Sequence, residues 1–224
     1  VLAENHNVDP VLRCAVCSSL SLCATVEQLV QCVSDTRQPV RLGAVVALAR
    51  MYSSRLGVFL RDTDVQVVTE AARGLYGNGD EESVRMLSEL AGKPNISNIV
   101  RRYAVAASFR RGGLPEAKMV LATAADAEAS AEVRVEAMDA LMAWENPSNI
   151  DRLSGQYRPV QKREGLDLAQ SLSGQLVGIF TGPAEVTIKA AELVAFFHVE
   201  VAVDLLRSKV RDKGEDPYVR AACL

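Results

Sequence analysis

Hydrophobic and small residues recur along this chain at a helical spacing. In Val133-Arg134-Val135-Glu136-Ala137-Met138-Asp139-Ala140-Leu141 an apolar residue precedes Arg, a small residue follows that Arg by three, and Leu comes four later. The same frame fits Leu12-Arg13 with Val16 and Leu20, Val40-Arg41 with Ala44 and Leu48, Val100-Arg101 with Ala104, and Val219-Arg220 with Cys223. Weaker copies centre on Val67-Val68 with Ala71 and Leu75, and on Val186-Thr187 with Ala190 and Val194. Positions three and four apart share one helical face, so each copy predicts a helix with a single apolar stripe. Repetition of this kind fixes an architecture before any one helix is argued.

The residues after the leading apolar position are 13, 41, 68, 101, 134, 187 and 220, with successive intervals of 28, 27, 33, 33, 53 and 33. Such units are shorter than helical repeats of about 40 to 47 residues but suit two brief helices and tight turns. Start signals precede the marker helices at Asp9-Pro10, Asp64, Asn98, Pro183 and Asp216-Pro217, where a short polar side chain caps free N–H groups and proline loses nothing in the first turn. Partner helices are predicted near 25–33, 52–60, 81–91, 115–125, 164–180 and 201–210. Turn clusters such as Gly77-Asn78-Gly79-Asp80 and Arg111-Gly112-Gly113 separate them. The pattern predicts an all-α chain, a right-handed α-α superhelix of about six to seven helical hairpins, forming one repeat domain across 1–224. The small residue after each marker permits close helix crossing. Ala104→Leu or Ala137→Leu is therefore expected to overpack and cost roughly 1–3 kcal/mol. The marker Arg is read as a tie to acidic groups or carbonyls of a neighbouring unit.

The 53-residue interval holds a break, Trp144-Glu145-Asn146-Pro147-Ser148-Asn149-Ile150-Asp151-Arg152-Leu153-Ser154-Gly155-Gln156-Tyr157-Arg158-Pro159. Two prolines, a glycine and the Asn/Ser cluster exclude a regular helix across it. The single Trp, a Tyr and two Arg argue for order, so 144–163 is expected to be an ordered insertion loop. It reads either as a cap over the groove between repeats or as a contact for a partner, with Trp144, Asp151, Arg152, Tyr157 and Arg158 as the candidate residues.

Composition narrows the classes. The chain has 224 residues, 49% of them hydrophobic and 24% charged, enough for a real core. Acidic residues outnumber basic ones by 28 to 25, so generic nucleic-acid binding loses weight. No run approaches the roughly 18 apolar residues of a membrane helix. The chain begins at Val1 inside what reads as a repeat and stops four residues after Arg220, as expected of a piece of a longer protein.

Two resemblances follow from quoted residues. Asp216-Pro217-Tyr218-Val219-Arg220-Ala221-Ala222 is similar to the opening of the second helix in HEAT repeats. Val58-Phe59-Leu60-Arg61-Asp62-Thr63-Asp64, Glu70-Ala71-Ala72-Arg73, Val133-Arg134-Val135-Glu136-Ala137 and the loop from Trp144 to Pro159 resemble a narrower group. That group is the HEAT section of large exported bacterial membrane-bound dehydrogenases, in which a sugar-dehydrogenase-like propeller precedes it and a c-type cytochrome domain follows. The resemblance implies a scaffold between redox domains, an exported or periplasmic location (a cytoplasmic one being the alternative), and no cofactor held in this segment. Cys14-Ala15-Val16-Cys17 is followed by Ser18 rather than His, so the haem-attachment motif is not here.

Residues able to carry chemistry are few. Cys14, Cys17, Cys23 and Cys32 read as core thiols first, with a disulfide from Cys17 or Cys23 to Cys32, or a metal site, as alternatives. His198 reads as a hydrogen-bonded residue at the edge of the core rather than a base, and neither it nor His6 has a Ser or Cys at nucleophile–base spacing. Asp80-Glu81-Glu82 opens a helix, where negative charge meets the dipole. Gly74, Gly77 and Gly79 end a helix without the Lys of a phosphate loop. Arg73, Arg101, Arg102, Arg110 and Arg111 form a candidate basic patch with Tyr103 and Phe109 as aromatics, the basis of an alternative reading as a HEAT-like nucleic-acid-binding or DNA-glycosylase-type protein. A repeat-type lyase or chromophore-handling protein would use similar repeats, but no residue is dedicated to it. The leading expectation is a non-catalytic scaffold whose partner is a protein or a neighbouring domain.

Overall fold

The computed structural model describes all residues from 1 to 224. Its regular structure is helical, apart from one antiparallel bridge between Ile150 and Tyr157. No helix is long and apolar enough to cross a membrane. The chain forms two compact units, Val1–Glu89 and Leu90–Leu224.

The first unit contains α1 (Leu2–Asn5), α2 (Pro10–Cys23), α3 (Val26–Gln31), α4 (Gln38–Arg50), α5 (Val65–Asn78) and α6 (Glu81–Ser88). Helix α4 is its centre and packs against α1, α2, α3 and α5. Its face of Ala44, Val45, Ala47 and Leu48 is closed from solvent, because small residues let neighbouring helices approach. Asp9 caps α2 and Asp64 caps α5, each accepting from two backbone N–H groups. Thr25 and Gln28 close a capping box on α3. The helix predicted at 52–60 is instead a 3-10 stretch, Ser54–Arg61. Its two buried anchors, Leu56 and Phe59, stand three apart, the spacing at which a 3-10 turn brings side chains into register. Gly74 lies inside α5 rather than at its end. A Cβ there would come 2.9 Å from that of Ala49, so glycine sets how closely α4 and α5 approach.

The second unit contains α7 (Asn98–Arg111), α8 (Leu114–Ala125), α9 (Ala131–Met142), α10 (Ala169–Ser173), α11 (Leu176–Phe180), α12 (Ala184–Phe196), α13 (Val203–Arg211) and α14 (Pro217–Ala222). Helices α7, α9, α12 and α14 pack in succession, with α8 against α7 and α9, α11 against α8 and α12, and α13 against α14. Ser97, not Asn98, caps α7. The helix predicted at 164–180 is broken: 159–168 has no regular structure, and α10 and α11 follow as single turns. The glycines at 165, 174 and 178 disfavour a continuous helix, while Leu168, Leu172 and Ile179 are fully buried and hold the irregular path in place.

All seven marker positions lie on helices, and five of them perform one job. Arg41 donates to the carbonyl of Asp35, Arg101 to that of Ile96, Arg134 to that of Ala124 and Arg220 to that of Val210. Thr187, standing in the Arg position, donates to the carbonyl of Phe180 at 3.5 Å. Each satisfies a carbonyl on the segment leading into its own helix: at or near the end of the preceding element for Asp35, Ala124, Phe180 and Val210, and in the loop before α7 for Ile96. Three also reach forward to the end of the next element: Arg41 to Asp62, Arg101 to Asp126, and Arg134 to the carbonyls of Thr181 and Gly178 at 2.6 and 2.7 Å. The forward reach spans 21 and 25 residues in the first two and 47 in the third. The extra length is the insertion. Helices α9 and α12 are therefore packed neighbours despite the 53-residue interval between their markers.

Candidate interaction site around the insertion

The insertion is pinned by an aromatic and guanidinium cluster. Trp144 is buried, only 2% exposed, and its ring meets Phe109 of α7 edge-on at 5.6 Å. Arg163 lies over both rings, 4.4 Å from the Trp144 centroid and 4.8 Å from that of Phe109. Its Nε donates to the Trp144 carbonyl at 2.8 Å and its Nη2 to the Phe109 carbonyl at 2.6 Å. Burial alone lowers the Arg163 pKa from its ordinary value. The backbone N–H of Arg163 points at the carbonyl of Glu145 at 3.5 Å, so the two ends of the loop meet.

Between those ends the chain makes a small hairpin. Asp151 N–H donates to the Gln156 carbonyl and Arg158 N–H to that of Asn149, at 2.8 and 2.9 Å. The Asp151 carboxylate turns inward and accepts from the backbone N–H groups of Leu153 and Ser154 and from the Ser154 hydroxyl. Arg110 of α7 stands 3.7 Å from its other oxygen. Of the five loop candidates, Trp144 and Asp151 are thus consumed in holding the loop, Arg158 is half-buried, and surface is offered by Arg152 and by Tyr157, 71% exposed. Ile150, the bridge partner of Tyr157, is also exposed.

Arg152 leads to a feature that the loop residues alone did not disclose. Its guanidinium lies 3.9 Å from Asp139 at the rim of an open groove of about 620 Å³ between α9 and α12. Val135 and Ile188 form the apolar part of its lining. Glu132, Glu136 and Asp139 contribute carboxylates from α9, and Glu185 and Glu192 from α12. Lys189 bridges the groove, 3.1 Å from Asp139 and 2.6 Å from Glu192. Burial would lower the lysine pKa, but its hydrogen bonds to Glu192 and Asp139 outweigh that and raise it. Residues 132, 136 and 139 stand about a turn apart on one face of α9, a spacing visible in the sequence.

The five arginines of the candidate basic patch are all engaged by carboxylates. Arg73, in the first unit, holds Glu70 at 2.5 Å. The other four are on α7. Arg101, 4% exposed, is bonded to Asp126. Arg102 reaches Glu136 at 2.7 Å and Glu132 at 3.5 Å, Arg110 faces Asp151, and Arg111 holds Glu116 at 2.9 Å. Their charge is spent largely within the protein, which is the arrangement of structural ties.

The cysteines divide differently from the core reading. Cys17 and Cys223 are buried, Cys14 and Cys23 are exposed, Cys32 is intermediate, and all five are free thiols. Only the first two are core residues; the exposed Cys14 thiol lies 3.5 Å from the Arg50 guanidinium at the end of α4. Burial raises the Cys17 thiol above its usual range, with Arg50 and Arg13 opposing. His198 is exposed rather than at the edge of the core: it is the left-handed residue that ends α12, with φ of 52°. No group of three or more His, Cys, Asp or Glu is gathered in a metal-holding cluster. No protein-family model and no curated protein matches the chain.

Proposed function

We propose that the chain is a run of HEAT-like helical repeats, wound as an α-α superhelix, that serves as a non-catalytic scaffold for a polypeptide partner or a neighbouring domain. The observation that carries this reading is the recurring clasp, in which the same helix position ties one element's end to the next, even across the insertion. One helical unit cannot cover its own apolar face, so stacking with such ties is how a repeat array stands. What an array of this kind presents to other molecules is its surface, and here that surface includes the groove between α9 and α12 and the exposed tip of the loop. The narrower proposal, that the parent is an exported dehydrogenase with a c-type cytochrome domain, rests on the sequence resemblance.

Cross-linking in the native source followed by isolation of the chain tests the reading. Cross-links to a polypeptide or to flanking domains of the same parent are expected. Recovery with nucleic acid alone, together with salt-sensitive binding to duplex DNA, would favour the alternative and overturn it. The parent's coding sequence decides the narrower proposal, which requires Cys-x-x-Cys-His downstream of these residues.

A further inference from the structure

We propose that the groove between α9 and α12 receives a cationic polypeptide segment carrying aliphatic side chains between its basic residues; this rests on the scaffold reading and names its occupant. The groove supplies both halves of such a recognition. Val135 and Ile188 offer apolar surface continuous with the core against which they pack. Five carboxylates line the same space against two cations, Lys189 and Arg152. Arg102, from α7, adds a third at its edge. Glu132, with 74% of its side chain exposed, and Glu185, also exposed, stand at the opening. With five carboxylates against three cations, the rim keeps a net negative charge over an apolar floor, which favours a partner that brings positive charge and buries aliphatic stems.

The protein's own side chains show which groups fit. The guanidinium of Arg152 comes from the loop and settles beside Asp139, and the ammonium of Lys189 lies between Asp139 and Glu192. Both cationic chemistries are therefore accommodated at this surface, and a bound segment would extend the series toward Glu185 and Glu132. An acidic segment would meet like charge along both walls, and an uncharged one would leave the rim unmatched.

The test is fluorescence anisotropy with a short labelled peptide of alternating lysine and leucine. A lysine–serine peptide of equal charge and a glutamate–leucine peptide serve as comparisons. The lysine–leucine peptide is expected to bind best, with affinity falling as salt rises. The pair Glu185→Lys and Glu192→Lys is expected to weaken it by about tenfold or more, and the equal charge change Glu200→Lys with Asp204→Lys by no more than about twofold. Thermal melts of both variants exclude unfolding, and Glu185→Gln with Glu192→Gln gives a gentler form of the same test. Equal losses in the two charge-reversal pairs, or equal binding of the acidic peptide, would overturn the proposal. If native cross-links fall on another face, the groove assignment fails and the scaffold reading stands. If no polypeptide partner exists, both fail.

Discussion

Arg134, on α9, ties the ends of α8 and α11 together. It is 3% exposed and donates to the carbonyls of Ala124, Thr181 and Gly178. Burial lowers its pKa, with Asp126 opposing. Arg134→Ala would strip these three carbonyls, and that of Ile179 at 3.4 Å, of this donor and leave a cavity. A loss of roughly 3 kcal/mol or more is expected in urea unfolding. Arg134→Lys keeps a cation but cannot reproduce the planar fork, so it should fall between the two. In the first unit the Arg41–Asp62 pair sets a pH dependence. Burial would raise the Asp62 pKa, but the Arg41 hydrogen bond and the Asp64 backbone N–H outweigh it and hold it below 3.8. A carboxylate depressed on folding contributes stability above its unfolded pKa, and that contribution is lost as pH falls through the folded value. Stability should therefore decline below about pH 4, and Asp62→Asn should flatten that decline. An unchanged acid slope in the variant would show that the pair contributes nothing.

Helix ends decide the element scale. Helices α4 and α12 both stop in a left-handed residue that is not glycine, Tyr52 and His198, each with φ of 52°. In each case the next N–H bonds back to the carbonyl five residues earlier, Ser53 to Leu48 and Val199 to Val194, the double bond pattern of a Schellman end. A side chain in that conformation costs about 1–2 kcal/mol, partly offset because glycine frees the unfolded chain. Tyr52→Gly and His198→Gly are expected to raise stability by about 0.5–1 kcal/mol each by chemical denaturation. A loss would mean that the side chains make contacts worth more than the strain. The sequence pattern placed all seven marker helices because the apolar stripe recurs at helical spacing, largely buried in the later copies and only half-buried at Val16 and Leu20 with Leu12 exposed in the first. It missed the 3-10 stretch at Ser54–Arg61 and the breakage of 164–180, where local spacing and glycines override a helical average. It also passed over Glu132, Glu136, Asp139, Glu185 and Glu192, since a reading built on apolar periodicity does not track outward-facing charge. Arg163 was invisible for another reason: its partners, Phe109 and Trp144, are brought to it only by the fold.

For the whole molecule, the claim that matters most is that the repeat runs through its own interruption. Helices α9 and α12 pack against each other, Arg134 spans the gap, and the chain between Glu145 and Arg163 leaves and returns at one point. A stretch whose ends meet can be exchanged for a short connection at little entropic cost. Its polar contacts with α7 and α9 include Arg110 donating to the Arg158 carbonyl at 3.3 Å and standing 3.7 Å from Asp151, and Arg152 lying 3.9 Å from Asp139, a long and half-exposed pair worth little by itself. The direct measurement is thermal unfolding of a variant in which residues 146–162 are replaced by a short Gly/Ser linker, keeping Trp144 and Arg163. A single cooperative transition within about 5 °C of the parent is expected. Loss of cooperative unfolding, or a melt far below the parent, would mean that the insertion itself holds α9 against α12, and the continuous repeat would be contradicted.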